Sequence, residues 1–575
     1  MKATDYIAQF LHEHGVCSVF ELSGGMITHL LDSIHRAGQV RLVSVHHEQG
    51  AAFAADAVGR MTGVPGVAMA TSGPGATNLL TGMGSCYFDS SPAVFITGQV
   101  NRHEQKGERA VRQLGFQETD IVSMARSITK AAWQVREAEE LPLLLKRAFQ
   151  LATNGRPGPV LVDVPMDLQR ANLSAAAMAA EPLPLPALPP LATSVWAELF
   201  DSLARAQRPM ILVGGGIRSG LAATELQSFA ERLGIPVVQS LMGVDALPYS
   251  HPLRVGLIGS YGNRWANLAL GRSDFLLVLG SRLDVRQTGS ETAAFKTGRD
   301  VFHVDCEAGE INNRVTGCHA IVCSLKDFFA AALAETRNRK FSSRETWLQE
   351  IAALRAQWPD VNELAGVPGI NPNRLMHELA RVAHGAAAYV VDVGQHQMWA
   401  AQSLELAPGQ RFLTSGGMGS MGFSLPAAVG AAVAAPGRPV VVVAGDGGFQ
   451  CNIQELQTVA RNQLPLKMLV LNNRCHGMVR QFQESYFSAR YVSTMWGYDA
   501  PDFMRVAAAY GIASRTVRKP GDVPAALDWL WTDPQSPALL EVAVDPTANA
   551  YPKIAFGHPI TEMEPFAKPL EMEGT

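Results

Sequence analysis

No two cysteines in this chain are spaced as CxxC. The seven it has (Cys17, Cys86, Cys306, Cys318, Cys323, Cys451 and Cys475) are scattered and odd in number. This excludes a disulfide framework or zinc knuckle and suits a reducing, cytoplasmic setting. There is no excess of one charge either. The 48 Lys and Arg against 52 Asp and Glu leave a formal net charge of −4, which argues against nucleic acid or an anionic membrane as the main partner. Long hydrophobic runs are missing: LPAAVGAAVAAPG, from Leu425, is stopped by Pro436 and Gly437, well short of the ~20 residues a membrane span needs. The N-terminal MKATDYIAQFLHEHG carries Asp5, His12, Glu13 and His14, the wrong chemistry for a signal-peptide core. A soluble, cytoplasmic protein with no membrane and no nucleic-acid partner is expected.

What the chain has is core material. Hydrophobic residues are 47% and charged ones 17% of 575 positions, enough for roughly three or four domains. The proline-dense stretch 171–194, ANLSAAAMAAEPLPLPALPPLATS, forbids helix and central strand alike and reads as a linker. A second linker is expected over 341–370, before Asn371 or Asn373 caps a new helix. The blocks so divided are 1–170, 195–340 and 371–575.

Within each block, short β-branched runs alternate with amphipathic stretches. PVLVDVP (159–165), PMILVGGG (209–216), DFLLVLG (274–280), YVVDVG (389–394), PVVVVAGDGG (439–448) and LKMLVLNN (466–473) are mainly apolar runs, most of them bounded by Gly, Asp or Asn. Strands of that kind belong to parallel sheets with helices on both faces, an α/β class in which ligands bind at the strands' carboxyl ends. Two such ends carry the strongest chemistry. Gly445, Asp446, Gly447 and Gly448 close one strand, and Asn472 and Asn473 close another after one crossover. A carboxylate and an amide oxygen side by side are half of a hard-cation site, which the Cys475 carbonyl could extend, and the glycines admit a diphosphate.

This GDG followed by NN resembles the diphosphate and magnesium motif of thiamine-diphosphate enzymes. The likeness to acetohydroxyacid (acetolactate) synthase large subunits runs along almost the whole chain. It implies three doubly wound domains in succession: pyrimidine-binding, central FAD-type and diphosphate-binding. Glu48, in HHEQGAAFAADAVGR, matches the family's glutamate that hydrogen-bonds the cofactor's aminopyrimidine, and the small residues after it imply close helix packing at a subunit interface. TSGPGATNLL resembles the glycine turn beside the pyrimidine (Gly73, Pro74, Asn78), and VGQHQMWAAQ the segment whose Gln395 and His396 reach the diphosphate. TSGGMGSMGF is similar to the stretch with Gly417, Met418 and the apolar side chain beneath the cofactor, here Met421. Asp446, Asn473 and Cys475 would hold Mg2+. For FAD, chiefly structural in this family, the resemblance points to Arg156, Gly214, Gly215, Arg282, Asp284, Arg286 and Asp305. Gln117 in FQE, Met478 and Phe482 in GMVRQF would meet substrate.

The implied reaction decarboxylates pyruvate and transfers the resulting acetyl (hydroxyethyl) unit to a second carbonyl compound. Three departures bear on the acceptor. Phe482 stands where the synthases have Trp, Glu21-Leu22-Ser23-Gly24-Gly25 replaces GYPGG, and the loop 101–115, with Arg102, Lys106, Arg109 and Arg112, is longer than in that family. FELSGGMITHLLDSI also resembles YerE-type flavin-containing carboligases. A ketone or nucleotide-linked keto-sugar acceptor is therefore expected ahead of ordinary acetolactate synthesis, with the basic loop either binding a diphosphate or simply solvated. An FAD-dependent pyruvate oxidase and a non-catalytic binding protein are the other readings. The resemblance further implies a dimer or tetramer with its active site between subunits, with or without a regulatory subunit.

Overall fold

The computed structural model describes residues 1–186, 188 and 191–571; Ala187, Pro189 and Pro190 of the proline-rich linker, and 572–575, lie outside the described residues. Three parallel six-stranded sheets follow one another along the chain. The first holds β1 (Ser18–Leu22), β2 (Arg41–Ser44), β3 (Gly66–Ala70), β4 (Ala93–Gln99), β5 (Ala131–Gln134) and β6 (Pro159–Pro165). The central one holds β7 (Pro209–Val213), β8 (Val237–Gln239), β9 (Arg254–Leu257), β10 (Phe275–Leu279), β11 (Asp300–Asp305) and β12 (His319–Val322). The third holds β13 (Ala388–Val391), β14 (Arg411–Leu413), β15 (Val440–Gly445), β16 (Leu466–Asn472), β17 (Ala513–Val517) and β18 (Ala538–Ala543).

The first sheet runs β2-β1-β3-β4-β6-β5 and the third β14-β13-β15-β16-β18-β17, so the outer two domains repeat one topology. The central sheet runs β12-β11-β10-β7-β8-β9, the strand order of dinucleotide-binding folds, with its switch point between β7 and β10. The six apolar runs read as strands from the sequence all take interior places, where helices cover both faces and most residues are apolar. No helix among the described residues is long and apolar enough to cross a membrane.

Three features differ from the sequence reading. The small residues after Glu48 serve the inside of one chain: the helix Glu48–Thr62 packs on the helix Ser424–Ala434 of the third domain, so closely that a Cβ on Gly430 would strike the Ala54 carbonyl. The stretch 341–370 is not a plain connection. Its helix Glu345–Gln357 buries Trp347, Ile351 and Leu354 in the central domain's core, and the Trp347 indole donates to the Pro209 carbonyl at 3.1 Å. Asn371 caps the next helix, Pro372–Val382, by accepting from the Arg374 N–H. Finally, the C-terminal hairpin Lys553–Ile554 and Met563–Glu564 returns to the central domain, where Ile554 and Met563 join the same core.

Candidate active site

β15 and β16 are hydrogen-bonded neighbours, and their carboxyl ends bring Asp446 and Asn473 to one cavity. That cavity is also lined by Gln395, His396, Met421, Gly445, Gly447, Gly448, Cys475, His476 and Met478. Asp446 is 2% exposed, and its Oδ2 has no hydrogen-bond partner among the described residues. Burial pushes its pKa up to about 6, with the Tyr498 hydroxyl opposing. A buried carboxylate oxygen without a donor is costly in a folded chain unless a cation meets it. The Asn473 amide donates to Gln395 Oε1 at 3.2 Å, and its oxygen accepts from the Cys475 N–H at 3.2 Å. Burial lifts the Cys475 thiol pKa to about 11, so only the carbonyl of that residue is a plausible hard-cation donor.

The glycines form a cradle rather than a flexible hinge. A Cβ on Gly447 would lie 2.8 Å from the His476 ring, one on Gly448 would run into Asp392, and one on Gly477 would overlap Gln395 Oε1. Only backbone fits there, so main-chain N–H groups can come close to an anionic group. One carboxylate oxygen without a partner, an amide, a carbonyl and a glycine-lined floor together suit magnesium and a diphosphate. The two residues expected to reach the diphosphate line this cavity and bond to its framework. His396 accepts from the Gly445 N–H at 3.2 Å through Nε2, and burial lowers its pKa to about 4, which keeps it neutral. Gln395 holds Asn473 on one side and donates to Gln481 Oε1 at 3.2 Å on the other.

The first domain gathers a second set. Glu48 opens its helix after His47, whose ring accepts from the Gln49 N–H. Its Oε2 accepts from Asn78 Nδ2 at 2.9 Å, while Oε1 carries no hydrogen bond among the described residues. A Cβ on Gly75 would sit 3.1 Å from Oε1, and one on Gly73, where φ is +69°, would meet the Gln117 side chain at 3.0 Å. Gln117 itself has φ +65°, a conformation uncommon outside glycine that often marks a functional loop. Glu48, Pro74, Asn78 and Gln117 thus form one cluster. None of them lines the Asp446 cavity, all of whose lining residues lie from Val393 onward.

Other expected residues are placed differently. Gly417 and Met418 stand on the first domain rather than in the Asp446 cavity: the Gly417 N–H donates to Asp89 Oδ1 at 2.6 Å, and Met418 would touch a Cβ on Gly84. Phe482, a turn beyond Met478, packs on Tyr486 and Phe487, with ring centroids 4.8 and 5.8 Å away, and does not line the cavity. In the basic loop, Arg102 is paired with Asp167 at 2.8 Å and Glu137 at 3.0 Å. The Glu118 carboxylate closes the loop by accepting from the Lys106 and Leu114 N–H groups.

At the switch point of the central sheet, Arg156, Gly214, Gly215, Arg282, Asp284, Arg286 and Asp305 line a single cleft. The glycines let the turns after β7 and β10 touch, since a Cβ on Gly214 would collide with the Gly280 carbonyl. Arg156 is committed to Glu307 at 2.9 Å and Glu310 at 2.7 Å, and Arg282 to Asp284 at 3.0 Å. A cleft at such a point, with a carboxylate at the end of β11, suits a dinucleotide. Residues that the sequence reading missed include Asp392, whose two oxygens accept from the Gly422 and Ser424 N–H groups at 2.9 and 2.8 Å. It ends the strand YVVDVG, and that position was its signal. Gln481 lay within GMVRQF, while His476 and Tyr498 had no signal.

Known proteins agree with this layout. Residues 1–124 match the N-terminal TPP binding domain of thiamine pyrophosphate enzymes, 196–332 their central domain and 392–542 their C-terminal TPP binding domain. The chain is 37% identical to the acetolactate synthase isozyme 2 large subunit of Escherichia coli (strain K12), over 98% of this chain and 99% of that protein. It is 34% identical to the probable acetolactate synthase large subunit of Methanocaldococcus jannaschii, over 100% and 96%, and 36% identical to the chloroplastic acetolactate synthase of Arabidopsis thaliana, over 97% and 83%.

Proposed function

The chain belongs to the acetolactate synthase large-subunit family of thiamine pyrophosphate enzymes, and from that premise we propose that it decarboxylates one pyruvate and joins the two-carbon unit to a second, giving acetolactate. The observation that carries a cofactor-loaded reading is the partnerless Asp446 Oδ2 beside Asn473. Pyruvate as acceptor is favoured over a ketone or nucleotide-linked keto-sugar by the end-to-end likeness to acetolactate synthases.

Asp446, Asn473 and the Cys475 carbonyl would hold Mg2+ on the diphosphate. Thiamine diphosphate, when bound, supplies the carbanion chemistry that an amino-acid side chain cannot. Glu48 offers its free Oε1 to the cofactor's pyrimidine while Asn78 fixes the other oxygen; a charge-assisted hydrogen bond sheltered from water is of the strong kind. Met421 and Met478 form apolar wall where water must be kept away. FAD would occupy the central cleft with Arg286 and Asp305 in its lining.

Glu48 is not among the residues that line the Asp446 cavity, which supports a site completed by self-association. Exposed apolar side chains support this: Leu114, Phe116 and Met124 lie on the first domain, and Val479, Phe482, Val492 and Trp496 on the third. The deciding test is product analysis with thiamine diphosphate, Mg2+, FAD and labelled pyruvate, alone and with ketones or nucleotide-linked 4-keto-sugars. Rapid acetolactate from pyruvate alone is expected. Slow turnover that becomes fast only with another acceptor would move the assignment to that acceptor.

A further inference from the structure

The segment Thr414–Ser424 carries Met421 to the Asp446 cavity, and one of its two ends is held from outside its own domain. Its far end is held by Asp392 through the Gly422 and Ser424 N–H groups. At its near end the first domain takes over. Asp89 Oδ2 accepts from the Gly416 N–H at 3.0 Å and Oδ1 from the Gly417 N–H at 2.6 Å. Arg60 donates to Asp89 Oδ2 at 3.0 Å and to the Thr414 carbonyl at 2.7 Å. Ser85 and Ser415 hydroxyls meet at 3.2 Å, and the Ser420 N–H donates to Ser415 Oγ at 3.1 Å.

Asp89 is unlike an ordinary surface carboxylate. Its side chain is 1% exposed, and Asp56 already satisfies Arg60 by two bonds of 2.6 and 2.8 Å. The second carboxylate is therefore not needed to neutralise Arg60. Its two oxygens are spent on consecutive backbone N–H groups, an arrangement that fixes the direction of a chain rather than the charge of a partner. Beyond the clamp, Met418 and Gly419 make no backbone hydrogen bond through their N–H groups among the described residues, and Gly419 has φ +67°. The apex can place Met421 only as well as its two ends are held.

We propose that Asp89 is a positioning residue: by gripping Gly416 and Gly417 it holds the loop that presents Met421 to the Asp446 cavity. The clamp stands on geometry alone, whereas its effect on turnover rests on the carboligase reading above. The test compares Asp89→Asn, which keeps one acceptor, with Asp89→Ala, which keeps none, in the full-length protein. Hydrogen exchange resolved to single amides is expected to speed up at Gly416 and Gly417 by about tenfold or more, the scale of one lost charge-assisted bond, more in the Ala variant than in the Asn one. Exchange in β15 and β16 should stay unchanged. In the loaded enzyme kcat should fall about 10- to 100-fold, as misplacement of a positioning group does, with the KM for pyruvate within about threefold.

Unchanged exchange at the two glycines, or faster exchange spread evenly over the chain, overturns the proposal. Should neither variant fold, the unaltered protein decides: Gly416 and Gly417 must exchange far more slowly than Met418 and Gly419, and equal rates overturn it. If the unaltered protein makes no acetolactate, the functional reading fails while the exchange data still judge the clamp.

Discussion

Replacing Asp446 by Asn should destroy activity and, in metal-free protein, raise stability. The carboxyl's pKa stands at about 6 against an ordinary 3.8, chiefly because burial penalises the charge. At about 1.36 kcal/mol per pH unit, ionised Asp446 costs the folded chain about 3 kcal/mol. An amide of the same shape avoids most of this, and lost hydrogen bonds to the carboxylate reduce the gain to about 1–3 kcal/mol. The sign follows from the raised pKa: the cost is absent below pH 3.8, grows as pH rises through the interval to about 6, and is constant above it. In EDTA-treated protein at pH 7.5, calorimetry of Asp446→Asn should show the third domain melting about 2–12 °C higher than wild type. The gap should shrink toward pH 4. Adding Mg2+ with thiamine diphosphate should raise the wild-type transition and leave the variant's unmoved, since ligand binding stabilises only the form that binds. A variant less stable than wild type at pH 7.5 without metal would falsify the reasoning, because Asp446 would then be a satisfied structural carboxylate.

Three further outcomes follow from the same geometry. Glu48→Gln should leave assembly intact, as judged by light scattering, and lower turnover by on the order of 10²–10⁴; near-normal carboligation would remove Glu48 from the chemistry. Gly477→Ala must displace the Gln395 amide that holds Asn473, so the Mg2+ concentration for half-maximal thiamine-diphosphate binding should rise about tenfold or more, the scale seen when a ligand's supporting partner is lost; unchanged binding by titration calorimetry would show that Gln395 supports nothing. His377 lies between Asp360, 3.0 Å away, and Glu405, 2.7 Å away; burial works against its charge, but the two carboxylates prevail and its pKa is raised. Its contribution is full below about pH 6.5, the unfolded value, and fades as pH rises through the folded one. His377→Gln should therefore lower the melting temperature at pH 6 and much less at pH 9, and a loss that grows with pH would contradict the pairing.

The sequence by itself determined the α/β class, the thiamine-enzyme likeness and the pairing of Asp446 with Asn473. Each is a local matter: strands buried on both faces are mainly apolar, and a carboxylate or amide after such a strand falls at the ligand-binding edge. Edge strands were less visible. β2 and β17 are half exposed along their length, so no continuous apolar run marks them. Only the tertiary structure decided which contacts the small residues serve, because a run of Ala and Gly permits close approach without naming the partner. The Ala54 and Gly430 backbones meet inside one chain. It likewise turned Gln395 into the holder of Asn473, took Gly417 to Asp89 and bound Arg102 to two carboxylates. Hydrogen-bond partners many positions apart are chosen by packing, and spacing along the chain carries no record of that choice.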